Sequence, residues 1–327
     1  MVAEGRTVNV PGAALARAVA VMAAVVTTLG APWARAAEPV YDPPAGSRWI
    51  VESEIRSEET RPEGSTNSLV RTRAELTVEQ KTPDGFHISY VQRGATVEGN
   101  ARTVSLRRAY ANVLENVVIR ASTDPSGKPL RIDNFDEARA AMRRSADALA
   151  AQFAERPAAR ALFDQLMSEL TEVDAGSAAS VYVDTLTLLA VAQNTGMKPG
   201  EVRWTSKPAE NPLGGDALNS NERFELTKAD ATRRVFVKVT SIDAASMSDF
   251  MQSFARSLLA ASGDSVTPQR VDLLVKSMVF SFDKRAEFEV EGGMTRKVSE
   301  KSTTTFRGLE QNLIQTEART IAVTRAP

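Results

Sequence analysis

Few residues of this chain have the type and spacing to do chemistry, and His87 comes first because it is the only histidine. It stands in the alternating stretch Phe86-His87-Ile88, so its imidazole is expected on the sheet face opposite those two neighbours. Any Ser-His-Asp relay has to use it. A lone strand histidine is more commonly a surface residue, and no catalytic residue is assigned. Cysteine is absent, which excludes disulfides, thiolate metal sites and thiol nucleophiles together. One histidine without cysteine also argues against a zinc centre. No phosphate loop or dinucleotide fingerprint occurs, so neither metal nor cofactor is predicted. Carboxylates are plentiful, but only 6% of the residues are aromatic, a poor supply of stacking platforms for a sugar-cleaving cleft. Asp184 interrupts an apolar helical stretch and is expected on its wet face. Arg71, Arg73, Arg102, Arg107 and Arg108 read as a solvated sheet face interleaved with Glu rather than an anion site.

Two fragments resemble catalytic motifs and fall short of them. Gly263-Asp264-Ser265-Val266 resembles the Gly-Asp-Ser block of the SGNH hydrolases, but the late Asp-x-x-His that completes those sites is missing. Ser281 and Lys284 have Ser-x-x-Lys spacing, yet they lie in a strand pattern and no Lys-Thr-Gly follows.

The elements that would position these residues begin after a leader. Arg6 and Arg17 precede the uncharged apolar run from Ala18 to Leu29, and Ala34-Arg35-Ala36 follows a Gly-Ala-Pro break. This is the layout of a secretory signal peptide, residues 1–36, cut near Ala36. The run is well short of the roughly 20 residues that span a bilayer. Residues 37–327 are then expected to form a single exported α+β domain, periplasmic or secreted, without stable membrane insertion. Removing the leader takes Arg6, Arg17 and Arg35 against Glu4 from a chain of net charge −1, which leaves about −3. That balance offers no reason to expect nucleic acid as a partner.

The first sheet half is placed at 47–133. Strands are expected at Trp49–Ile55, Leu69–Glu79 and Phe86–Val91, with further strand-like alternation from Val104 to Thr123. Thr82-Pro83-Asp84-Gly85 and Asp124-Pro125-Ser126-Gly127 are turns. A helical block occupies 134–196. It opens on a capping-box pattern at Asn134 and Glu137, breaks at Pro157, and ends in an apolar helix from Ala178 to Asn194. The second half, 199–327, returns to strands. Its helices at 246–277 start from Ser246 and Asp249, and Gly292-Gly293 forms a late turn. The two halves share wording. Pro44-Ala45-Gly46-Ser47-Arg48-Trp49 matches Pro199-Gly200-Glu201-Val202-Arg203-Trp204, and Arg73–Thr77 matches Arg223–Thr227. The pattern predicts long antiparallel strands in a curved sheet or half-barrel, with two halves from an internal repeat, packed with amphipathic helices. The two tryptophans are expected to anchor strand starts.

Gly46-Ser47-Arg48-Trp49, the Asp124–Gly127 hairpin and the placing of helices between sheet halves resemble the periplasmic lipoprotein-carrier (LolA/LolB-like) superfamily, and related exported proteins of unknown function. The resemblance implies a half-open barrel shielding an apolar cavity that holds acyl chains; no functional residue transfers with it. On this reading the chain is a non-enzymatic protein binding a hydrophobic or lipid-like ligand between sheet and helices. Met142, Leu149, Phe153, Phe250, Phe254 and Leu258 are the expected apolar lining. The alternatives are an envelope structural or interaction protein with a protein partner, and a carboxylate-dependent hydrolase.

Overall fold

The computed structural model describes residues 40–100, 104–209, 218–261, 266–308 and 311–327. The leader at 1–36, Arg102 and Gly263-Asp264-Ser265 lie outside the described residues. Among the described residues eleven strands make one antiparallel sheet: β1 (Arg48–Arg61), β2 (Gly64–Thr82), β3 (Gly85–Gly99), β4 (Val118–Thr123), β5 (Pro129–Ile132), β6 (Val202–Ala209), β7 (Leu218–Ala229), β8 (Arg233–Ile242), β9 (Val279–Glu291), β10 (Met294–Gly308) and β11 (Gln311–Arg325). Their order is β5-β4-β3-β2-β1-β11-β10-β9-β8-β7-β6. The chain therefore enters at the middle of the sheet, meanders out to β5, crosses to the far edge at β6, and meanders back until β11 pairs with β1. The sheet is not closed. Its edges, β5 and β6, are consecutive in sequence and separated by a helical block.

The α+β class and the long antiparallel strands agree with expectation. The strands run further than their apolar stretches, because β1 and β2 continue to a tight hairpin with Arg61 opposite Gly64. Charged side chains on one face sustain that extension, as where Arg71 contacts Glu54 at 2.9 Å and Glu98 at 3.0 Å. The turn at Thr82–Gly85 forms as read, and there glycine is required. Gly85 has φ +146, and an added Cβ would fall 1.9 Å from the Thr123 carbonyl oxygen.

Among the described residues seven α-helices accompany the sheet: α1 (Val104–Val113), α2 (Phe135–Ala150), α3 (Pro157–Thr171), α4 (Ala178–Tyr182), α5 (Asp184–Ala190), α6 (Ala244–Ala261) and α7 (Pro268–Ser277). Their assignment corrects the sequence reading at several points. The strand reading of Val104–Thr123 holds only for β4. Leu106, Ala109 and Val113 are buried at helical spacing on α1, a period masked by the β-branched run Val117-Val118-Ile119 just beyond. The helix expected from Ala178 to Asn194 is broken at Val183, whose φ −132 and ψ 39 leave the helical region. Asn134 makes no capping bond. Its Oδ1 accepts the Arg120 backbone N–H at 2.8 Å and its Nδ2 donates to the Val118 carbonyl at 2.9 Å, so it ties α2 to β4 instead.

All the helix-packed apolar residues of the central strands lie on one sheet face. On β9, Ala286, Phe288 and Val290 join the main core while Phe280 joins a second, smaller cluster, and all four share one parity. The main core takes Trp49, Val51, Leu76 and Val78 from the first half, Phe236, Val298 and Ile321 from the second, and the buried sides of α1 to α5. The opposite face carries the charged rows.

The expected equivalence of the two tryptophans fails. Gly46 N–H donates to the Val78 carbonyl and Val78 N–H to Ser47, while Gly200 N–H donates to Leu226 and Leu226 N–H to Glu201. A bulge follows Val78 and another follows Leu226. Bonding thus matches Gly46 with Gly200 and Trp49 with Arg203, one residue away from the tryptophan match. Because strand side chains alternate faces, one residue is enough to reverse the outcome. Trp49 is 6% exposed in the core, whereas Trp204 is 68% exposed on the other face.

Candidate functional site

The six expected lining residues divide between two clusters. Met142 and Phe153 are fully buried in the main core, where Phe153 stacks on Phe163 at 5.1 Å between ring centroids, and Leu149 packs half-buried against the same core. Phe250 and Phe254 belong to the second cluster under α6, which takes Leu259 in addition, and Leu258 is half-buried on that helix. Helical periodicity showed that each helix buries a face. It did not show against what: α2 packs on α1, α3 and β4, and α6 on α7 and β7.

The second cluster is built from a short stretch of chain. Asp243 starts α6 by accepting the backbone N–H groups of Ala245 and Ser246, each at 3.1 Å. The cap expected at Ser246 therefore falls three residues earlier. The Ser246 N–H and the Asn221 amide hold the Asp243 carboxyl below its usual range. Thr267 caps α7 by accepting the Arg270 N–H, with Pro268 in the first turn. Met251, Ala255, Val271, Met278 and Phe306 are buried between these helices and the sheet. Around them Met247, Phe250, Phe254, Leu274, Val275, Phe280 and Leu313 are only partly covered. Phe250 lies 6.0 Å from Phe254 and 6.4 Å from Phe280, and Phe254 lies 6.1 Å from Phe306, all between ring centroids. A half-covered patch of phenylalanines and flexible methionines accepts irregular apolar shapes with little strain.

A polar belt separates this patch from the main core on the same face. Lys284 pairs with Glu300 at 2.9 Å, and Glu222 with Lys238 at 2.8 Å and Lys207 at 3.1 Å. Burial works against the charge on Glu222, but the two lysines more than offset it and hold its carboxyl below the usual range. Arg319 contacts Asp184 Oδ2 and Thr185 Oγ1, each at 2.7 Å. Its side chain is 14% exposed and that of Asp184 54%, so the wet-face expectation for Asp184 describes only part of its surroundings. Arg319 Nε is buried without a hydrogen-bond partner among the described residues. Beside it, burial pushes the Tyr90 hydroxyl up to about 12.

His87 lies on the charged face, as expected, beside a cavity of about 790 Å³ lined by Glu79, Gln80, Arg120, Arg131 and Asp133. Its Nδ1 is 3.2 Å from Asp133 Oδ2 and 3.2 Å from Ser122 Oγ, and Ser122 donates to both Asp133 oxygens at 2.8 Å. All three types of a hydrolase triad thus meet, in the wrong arrangement. A relay needs serine and aspartate on opposite ring nitrogens, and here both are at Nδ1. Ser122 and Asp133 were not legible as neighbours of His87, because only the strand register brings them together. Ser281 and Lys284 stand three residues apart on β9 and so project to opposite faces, which separates the Ser-x-x-Lys pair. Among the described residues no group of three or more His, Asp or Glu could hold a metal ion. Nor, among them, is any helix long and apolar enough to cross a membrane.

No protein-family model and no curated protein matches the chain. Among solved structures, lipovitellin, in a study of its lipid–protein interactions, is similar at 6% identity and a TM-score of 0.42 over 87% of this chain. The chain spans 26% of that protein's length. The transport unit of the autotransporter AIDA-I from Escherichia coli aligns at 8% identity and a TM-score of 0.26, covering 85% of this chain and 90% of that one. An outer membrane channel from Pseudomonas putida F1 aligns at 8% identity and 0.19, covering 88% and 98%. At scores this low, fold and function rest on the chain's own residues.

Proposed function

We propose that the protein is an exported, non-enzymatic carrier that holds an apolar, lipid-like ligand beneath α6 and α7. The observation that carries this reading is the contrast between the two clusters. In the main core the fully buried residues outnumber the partly covered ones, which lie packed against it. In the α6–α7 cluster the proportion is reversed: three phenylalanines, Phe250, Phe254 and Phe280, are among the residues left partly open over five buried ones. Such a site is apolar and poor in fixed polar groups, as hydrophobic ligand sites are. Export rests on the leader pattern at 1–36. We also read the two hairpins with matching closing bonds and bulges as copies of one sheet unit.

Native mass spectrometry of protein purified from its own host tests the ligand. The expected result is a one-to-one adduct of lipid mass, regained when stripped protein is incubated with long-chain fatty acid or phospholipid. Phe254→Asp should abolish the adduct while leaving the main core folded. A clean apo mass with no lipid gained on incubation sinks the proposal.

A further inference from the structure

The two edges of the sheet are not alike. β5 has four residues, begins at Pro129 and packs under α4. Those are the usual ways of blunting an edge. β6 has eight residues and pairs only with β7 among the described strands, and every side chain from Val202 to Pro208 is exposed. Trp204 stands out from it at 68% exposure. A long edge that no second described strand covers, bearing an exposed tryptophan, is a ready template for another strand.

We propose that β6 pairs with β6 of a second copy of this chain, antiparallel, about a two-fold axis through Trp204. The stretch from Glu201 to Lys207 is complementary to itself about that residue. Pairing there sets Trp204 against Trp204, Arg203 against Thr205, Val202 against Ser206, and Glu201 against Lys207 of the other copy. An axis perpendicular to the sheet keeps each side chain on its own face, so it must pass through a residue, and the neighbouring registers are poorer. An axis through Thr205 opposes Arg203 to Lys207. An axis through Arg203 opposes that guanidinium to itself, and like charges directly across a ladder are destabilising. An axis through Ser206 forms no charge pair and puts Pro208, which has no N–H, opposite Trp204.

The Trp204 register gains an aromatic pair at its centre and an opposite-charge pair at each end. Arg203 is already bridged to Glu201 at 2.8 Å within its own chain, which tempers its approach to its symmetry mate on the diagonal. Lys207 likewise shares Glu222 at 3.1 Å and reaches the axis-related Glu201 from the same face. The result is an isologous dimer with one continuous sheet. Eight residues of edge bury less than the roughly 1,200 Å² of stable interfaces, so the dimer forms at high local concentration rather than permanently.

The absence of cysteine makes the test clean, since an introduced thiol is the only one present. In this register two copies of Trp204→Cys place their Cα atoms about 5 Å apart, inside the range of a disulfide. Two copies of Ser206→Cys lie about four residues apart along the ladder, about 14 Å, outside it. Mild oxidation at high protein concentration should therefore give covalent dimers from Trp204→Cys and monomers from Ser206→Cys. A mixture of Val202→Cys and Ser206→Cys should give the covalent heterodimer. All these side chains are exposed, so circular dichroism should remain that of the parent chain. Equal cross-linking of Trp204→Cys and Ser206→Cys, or none by any variant, overturns the proposal.

Discussion

Asp133 draws together three side chains beside the His87 cavity. Ser122, His87 and Arg131 all bond to it, the last at 2.9 Å. Burial pushes its carboxyl up, and these hydrogen bonds more than offset that, so it is held below its ordinary value. With the folded-state pKa the lower of the two, the unfolded chain takes up the proton first as pH falls. The stabilisation is complete above the ordinary aspartate value of about 4 and is lost as pH drops through the folded value. Urea denaturation between about pH 5 and pH 3 should show Asp133→Asn with a flatter acid limb than the parent. Parallel limbs in the two proteins would refute this role. The same cluster shows why types alone do not make a catalyst. Ser, His and Asp are all present, and hydrogen-bond topology denies them a relay.

At the scale of elements, the two strand openings show how much depends on one step of register. Trp49 fills the core opposite Leu76, and Trp204 stands in solvent opposite Arg223. Trp49→Ala should cost about 3–5 kcal/mol of unfolding free energy, the range for emptying a buried aromatic site. Trp204→Ala, measured at dilution where β6 is unpaired, should stay within about 0.5 kcal/mol of the parent. Comparable losses from the two substitutions in urea titrations would contradict the register. Helix α1 makes a related point. Its buried Leu106, Ala109 and Val113 have helical spacing, but that is visible only once the apolar run beyond Leu114 is assigned to a separate strand.

Over the whole molecule, one sheet face carries two apolar covers of unequal depth with a charged belt between them. The main core draws on both sheet halves and five helices, whereas α6 and α7 rest on five buried residues. Elements with few buried contacts open at lower free energy than the core. Hydrogen exchange should therefore be fastest, among the helices, in α6 and α7 and slowest in the central pair β1 and β11. Addition of a bound lipid should slow α6 and α7 selectively. Protection in α6 and α7 equal to that of the central strands would indicate a solid second core and leave no site for a ligand.

Apart from α1 and the break at Val183, the order of strands and helices, the turns at Thr82–Gly85, Asp124–Gly127 and Gly292-Gly293, and the lack of thiol chemistry were determined by the sequence alone. They depend on local conformational preference and on which side chains exist at all. Tertiary structure decided the rest. Met142 and Phe254 have the same helical signature, yet one lies in a closed core and the other beneath a partial cover, because periodicity records that a face is buried and not what buries it. His87, Ser122 and Asp133 meet only through the pairing of β3 with β4, and Trp49 and Trp204 part because one residue of register exchanges the faces of a sheet.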